Sequence, residues 1–239
     1  MPHLFDGIHH SMAVSVQLVL CLHALNEALH LALALLVGPI AGLVSVAFVR
    51  TVAWADRNRP KRWRRLVAPI LALGLLGLLS IPFPQLLGNG KDVAELVFTD
   101  QIPFTLLLML LVLKPAVTLL CLGSGVPGGL FTPSLALGSL LGAVVGHACL
   151  LVWPDVQPAL VAIVGAGAVL AATTQGPISA VVLMMELTGG DRSFIAPLLL
   201  AVVIATLVSR LIEPRSIYDA RLTDEEIAQR QALREPARH

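Results

Sequence analysis

The residues best suited to chemistry form one stretch: Gly123-Ser124-Gly125-Val126-Pro127-Gly128-Gly129-Leu130-Phe131-Thr132-Pro133, followed by an uncharged helix. Thr132 suits the N-cap and Pro133 the first helical position, where a missing N–H costs nothing. The first amides of such a helix have no partner within it, and the aligned peptide dipoles give that end about half a positive charge. A bare helix start of this kind suits an anion, and the preceding glycines let the backbone curl until several amides converge. In lipid an unpaired ion costs on the order of tens of kcal/mol. Hydrogen bonds to an ion contribute about 1.5–3 kcal/mol each, so a few amides offset dehydration and still allow release, as conduction requires. The alternative is that these glycines only let helices pack closely, and residue chemistry alone leaves both readings open. Gly138, Gly142 and Gly146, spaced four apart, are assigned to packing as a small-residue face.

The elements that must position this stretch are membrane helices. Hydrophobic residues make up 56% of the chain and charged residues 13%, with a mean hydropathy of +0.85. That charge is about half the share found in a soluble domain, too little to cover a water-exposed particle. No Asp, Glu, Lys or Arg occurs from Pro115 to Pro154, or from Val156 to Met185. A spanning helix needs roughly 20 apolar residues, and backbone in hydrocarbon must pair within its own segment. The fold class expected is all-α, a polytopic membrane protein with broken, tilted helices.

Apolar segments are expected near Leu31–Val49, interrupted at Gly38-Pro39 and Gly42, and near Leu66–Leu87. Others run over Ile102–Leu122, Ser134–Trp153, Ala159–Leu187 and Phe194–Ile212. Gly88-Asn89-Gly90-Lys91-Asp92 reads as an exposed turn. Gly176-Pro177 divides Ala159–Leu187 into two shorter helices, because proline resists helix continuation. Plain anchors have little use for such breaks; channels and transporters use them to bring bare backbone ends to mid-membrane. Residues 1–23 are weakly patterned, and 223–239 form a short charged tail, helical in part.

The remaining candidates carry little chemistry. Cys21, Cys121 and Cys149 lie apart in apolar runs, which argues against a disulfide framework or metal site. His3, His9 and His10 lack a further ligand, so no metal and no cofactor is expected. Lys114 and Glu186 are ionisable groups in apolar sequence, for which pairing, helix capping or subunit contact suffices; His147 reads as a hydrogen-bonded structural residue. No nucleophile–base pair, nucleotide loop or metal cluster points to an enzyme. The basic loop Arg57–Arg65 and the arginines of the tail fit the positive-inside tendency, which puts both on the cytoplasmic side of a cell membrane and leaves nucleic acid out as a partner.

In order along the chain, these features resemble the CLC family of chloride channels and chloride/proton antiporters. G-S-G-V-P-G-G-L-F-T-P is similar to that family's second-half signature, whose core is G-x-F-x-P. Lys114, the Gly165–Ala172 run, Gly176-Pro177, Leu183–Thr188 and Ser216–Tyr218 extend the likeness over about 31–222, a CLC-like transmembrane half after a divergent 1–30. The resemblance implies that the amides of Leu130 and Phe131 hold a chloride ion, with Gly129 as the hinge. It further implies that the hydroxyl of Tyr218, the chain's one tyrosine, adds a contact. It also implies a homodimer in lipid, in which this chain is the second inverted repeat. The first-half G-S-G-I-P and G-K/R-E-G-P segments do not occur before Leu31, so a first-half partner is expected to complete the pore.

Overall fold

The computed structural model describes residues 2–60, 63–189 and 194–222, with side chains from Ala28 onward. Helix α1 (Pro2–Arg57) is followed by α2 (Arg64–Ser80), a 3-10 turn at Pro84–Leu86, α3 (Lys91–Phe98) and α4 (Phe104–Ser124). Then come α5 (Phe131–Leu150), α6 (Pro158–Thr174), α7 (Pro177–Leu187), α8 (Ile195–Ile212) and a last 3-10 turn at Asp219–Arg221. Among the described residues, four stretches are long and apolar enough to cross a membrane: Ala28–Arg57, Phe104–Ser124, Phe131–Leu150 and Ile195–Ile212. The all-helical membrane architecture read from the sequence is the one observed, and α6 and α7 are the two short helices expected on either side of Gly176-Pro177.

Helix α6 is the centre. Every residue from Val161 to Thr173 is buried, which a uniformly apolar helix tolerates only when protein surrounds it. Helix α5 lies against it antiparallel, with Gly138 facing Gly165, Gly142 facing Val161 and Ala162, and Gly146 facing Pro158. A Cβ on Gly138 would come within 2.6 Å of the Gly165 carbonyl oxygen and 2.7 Å of the Ala166 Cα. The packing role assigned to Gly138, Gly142 and Gly146 is therefore what the backbones require.

Gly38 and Gly42 do not interrupt α1, contrary to the sequence reading. A Cβ on either would meet Ile204 Cβ at 2.9 Å or Val208 Cβ at 2.8 Å on α8. The two glycines let α8 approach, and the intervening Pro39 sits inside the helix, as neighbouring helices permit in a membrane. Because 38 pairs with 204 and 42 with 208, α1 and α8 run parallel, and α1 continues to Arg57, past the level at which α8 ends at Ile212. Helix α1 also passes residue 30 without a break.

Asn89 and Gly90 turn as expected, Gly90 with φ +102°, but Lys91 and Asp92 already belong to α3. This amphipathic helix buries Val93, Ala94 and Val97. Gly90 is buried, facing Ala136 Cβ and the Thr132 carbonyl at the start of α5. Gly88, Asn89, Lys91 and Asp92 are exposed, as read, while Gly90 backs the first turns of α5. Leu66, Ile70 and Leu78 on α2 are 64–75% exposed, an apolar face suited to hydrocarbon. His3, His9, His10, Cys21 and the tail 223–239 lie outside the residues whose side chains are described.

Candidate anion site

Helix α4 ends in a Schellman motif. Gly125 adopts φ +99° as its C-cap, its N–H donates to Leu122 O at 3.1 Å, and the Val126 N–H donates to Cys121 O at 3.2 Å. Gly125 thus turns the chain out of α4. Gly128 and Gly129 then carry it to α5, and a Cβ built on either meets nothing within 4 Å. The space beside them is open.

Helix α5 starts at Phe131 with Leu130 as the capping residue, not at Thr132–Pro133 as the sequence suggested. The difference comes from Ser134, whose N–H donates to Leu130 O at 3.1 Å and whose hydroxyl donates to the same oxygen at 2.7 Å. That double contact closes the first turn one to two residues earlier. Pro133 consequently falls within the first turn, where a missing N–H still leaves nothing unpaired. Among the described residues no acceptor takes the amides of Gly129, Leu130, Phe131 or Thr132.

Gly128, Gly129, Leu130 and Pro133 line a cavity of about 210 Å³ shared with Lys114, Thr118, Cys121 and Asn89. Since a water takes roughly 30 Å³ of liquid, the space suits a partly hydrated small ion. Leu130 lines the cavity and is 2% exposed as a whole residue. Phe131 is 36% exposed.

Lys114 is the cation of this cavity. It is 3% exposed, and its Nζ donates to Gln85 O and Leu86 O at 3.0 Å, Leu87 O at 3.2 Å and Gly88 O at 3.3 Å. An ammonium has three donors, so four carbonyls already share them. Capping was one of the roles left open for Lys114, and this is a cap on an irregular segment. No signal in sequence spacing reveals it, because the acceptors lie 26–29 residues upstream.

Tyr218 is placed by a separate set of contacts. Gln175, at φ +59°, ends α6. Its side chain bonds Ala172 O, and Arg210 Nε donates to its Oε1 at 2.6 Å. The Ile217 N–H donates to Thr173 O at 2.8 Å, tying the turn that carries Tyr218 to the C-terminal end of α6. Arg221 Nε, three residues on, donates to Asp56 Oδ1 at 3.0 Å. Tyr218 is 44% exposed and is not among the residues lining the Gly128–Leu130 cavity. The structure brings Gly129 and Leu130 together in one cavity and holds Phe131 beside it at the helix start. His147 Nδ1 lies 2.9 Å from Ala143 O, the structural role read for it.

The family model described as "Voltage gated chloride channel" matches residues 7–210. The chain belongs to this family. That match reaches into the segment 1–30 set apart in the sequence and stops short of Tyr218. Among curated relatives, the chain is 35% identical over 195 residues to an H(+)/Cl(-) exchange transporter ClcA of Vibrio parahaemolyticus serotype O3:K6, covering 79% of this chain and 42% of the relative. It is 33% identical over 205 residues to a ClcA of Yersinia pestis bv. Antiqua (strain Angola), covering 83% and 43%. Among solved structures it is similar to a slow cyanobacterial Cl-/H+ antiporter, with TM-score 0.66, 27% identity, and 87% and 48% coverage. It is also similar to a CLC-type fluoride/proton antiporter, with TM-score 0.64, 25% identity, and 82% and 47% coverage. The chain thus spans less than half the length of the relatives it matches.

Proposed function

We propose that this chain forms the second half of a chloride-translocating pore of the CLC type, and that the amides of Leu130 and Phe131 hold the ion. The observation that carries this reading is the set of unaccepted amides from Gly129 to Thr132 at the edge of an open cavity. A helix start leaves its first amides without partners inside the helix, and here glycines with open space beside them bring those amides to the edge of the cavity, a place for an acceptor. Gly129 is the hinge, and the Tyr218 hydroxyl is the further contact once the pore is assembled. The names of the relatives, H(+)/Cl(-) exchange transporters, favour exchange over a channel. The working assembly in lipid is a homodimer, each subunit completed by a first-half segment, with the basic loop and tail on the cytoplasmic side.

The test is chloride efflux from liposomes containing this chain with and without a co-expressed first-half segment, paired with calorimetric halide titration. Flux is expected only from the assembled pair. Gly129→Val removes halide binding while leaving the thermal stability close to wild type, since its Cβ meets nothing within 4 Å; Tyr218→Phe weakens binding modestly. Unchanged halide affinity in both variants refutes the site. Equal flux from the chain alone refutes the need for a partner.

A further inference from the structure

The cavity beside Gly128–Leu130 has polar side chains of its own, and most of them are already committed. Lys114 gives its N–H groups to the carbonyls of residues 85–88. The Thr118 hydroxyl donates to Lys114 O at 2.9 Å on its own helix. A thiol is a weak donor, which sets Cys121 aside. Asn89 is the remaining polar side chain among the lining residues.

The Asn89 carboxamide is engaged at one end only. The Lys91 N–H donates to Asn89 Oδ1 at 3.1 Å, the turn that asparagine forms with the backbone two residues on. An N–H needs an acceptor, so the oxygen is the atom committed there. Nδ2 keeps both of its N–H groups, and among the described residues no acceptor takes them. The backbone around Asn89 is set from both sides. Gly88 at φ +75° and Gly90 at φ +102° flank it, and Lys114 holds Gly88 O at 3.3 Å, one residue upstream. Gly90, one residue downstream, abuts the Thr132 carbonyl and Ala136 in the first turns of α5. Asn89 is thereby fixed to the same helix start whose amides lack acceptors.

We propose that Asn89 is a further contact of the transported anion, its Nδ2 N–H groups donating to the ion in the cavity that the amides of Leu130 and Phe131 border. This contact rests on the anion reading of that cavity. A carboxamide suits the task because it offers two donors and no charge, so it adds attraction without the hold of an ammonium. With Oδ1 tied to Lys91, the end of the group left for an anion is the N–H end.

The experiment is calorimetric titration of sodium chloride into the full chain co-expressed with a first-half segment, for the wild type, Asn89→Ser and Asn89→Asp. Both replacements keep an oxygen able to accept from the Lys91 N–H, so Tm should stay within about 2 °C of wild type. Asn89→Ser is expected to weaken chloride binding by about tenfold, the loss of one hydrogen bond to an ion. Asn89→Asp should weaken it further, because a carboxylate then faces the anion. The direct readout is the side-chain amide signal of Asn89 in protein carrying isotope-labelled asparagine, identified among the three asparagines by its loss in Asn89→Ser. That signal should shift with chloride along the same curve as the heat. Wild-type affinity in Asn89→Ser, or a signal that stays still while heat is released, would overturn the contact and leave the amides of Leu130 and Phe131 as the site. Absence of chloride heat from the wild-type assembly would refute that site, and the Asn89 contact with it.

Discussion

Replacing Lys114 by Met tests how the loop behind α5 is held. The Nζ donates to four consecutive carbonyls at 3.0–3.3 Å. Hydrogen bonds from a charged donor contribute about 1.5–3 kcal/mol each, so three donors give a gross of roughly 5–9 kcal/mol. Against that stands the cost of burying the ammonium, several kcal/mol in real proteins, which Met removes along with the charge. What remains is the penalty on the carbonyls. The bond to Leu86 O is fully buried and the other three are partly so. The adjoining 210 Å³ cavity can hydrate the latter. One unsatisfied buried carbonyl at about 1–3 kcal/mol plus partial losses at the rest gives a net destabilisation of about 2–4 kcal/mol, or roughly 5–10 °C in Tm for a chain of this size. Arg is not an adequate substitute, because a planar fork does not converge on four carbonyls of one turn; Lys114→Arg should recover less than half of the loss. Thermal unfolding in detergent, followed by circular dichroism, reads both. A Lys114→Met Tm within about 1 °C of wild type would refute the clamp as a determinant of the fold.

Three further outcomes follow from the geometry. Gly142→Ala places a Cβ against the Val161 carbonyl oxygen and 2.8 Å from the Ala162 Cα, both backbone; overpacking should cost at least about 1–3 kcal/mol, read as a lowered Tm. Asp56→Asn weakens contacts to Arg59 at 2.7 Å and Arg221 at 3.0 Å, with an expected loss of about 1 kcal/mol in this partly exposed network. Its more specific readout is hydrogen exchange at the Ile217 amide, which should quicken by roughly fivefold while α6 is unaffected. Gln175→Ala removes the acceptor of Arg210 and keeps a Cβ at φ +59°; a loss of about 1 kcal/mol is expected from the hydrogen bonds, with Gln175→Gly milder because glycine accepts that φ.

What the sequence revealed depended on the range over which each cause acts. The break between α6 and α7 was legible because glycine and proline act on their own backbone. The α5–α6 contact was legible as glycines four apart, which line one helical face. Gly38-Pro39 misled for the complementary reason. The same residue types that end a helix locally were there to admit Ile204 and Val208 of α8, a partner some 166 residues away by position in the chain. Helix α3 was hidden by its eight-residue length and by the turn-like Gly88–Asp92 that opens it. The glycine loop was readable as the turn before a bare helix start, on which the proposed anion site rests, but the start of α5 was misplaced because Ser134 and not Thr132 closes its first turn. Nothing local identifies Tyr218; it stands on family resemblance and on the contacts of Ile217 and Arg221 either side of it.

The division of labour in the proposed anion site at the glycine loop has a physical logic. A transported anion must be attracted and yet released, and a free ammonium or guanidinium in its first contact shell would favour attraction too far. Lys114 lines the cavity, but its N–H groups are already turned to the carbonyls of residues 85–88. Its charge contributes field without offering a donor. The donors at the loop are amides instead, fixed in place by the Schellman end of α4 on one side and by Ser134 on the other. Preset donors cost little reorganisation when the ion arrives and bind less tightly than a salt bridge. Gly90, buried between Ala136, Thr132 and the Lys114 side chain, joins the two devices. Loosening the clamp at Lys114 therefore shifts the backing of α5, so halide affinity and stability should fall together in Lys114→Met, whereas in Gly129→Val affinity falls alone.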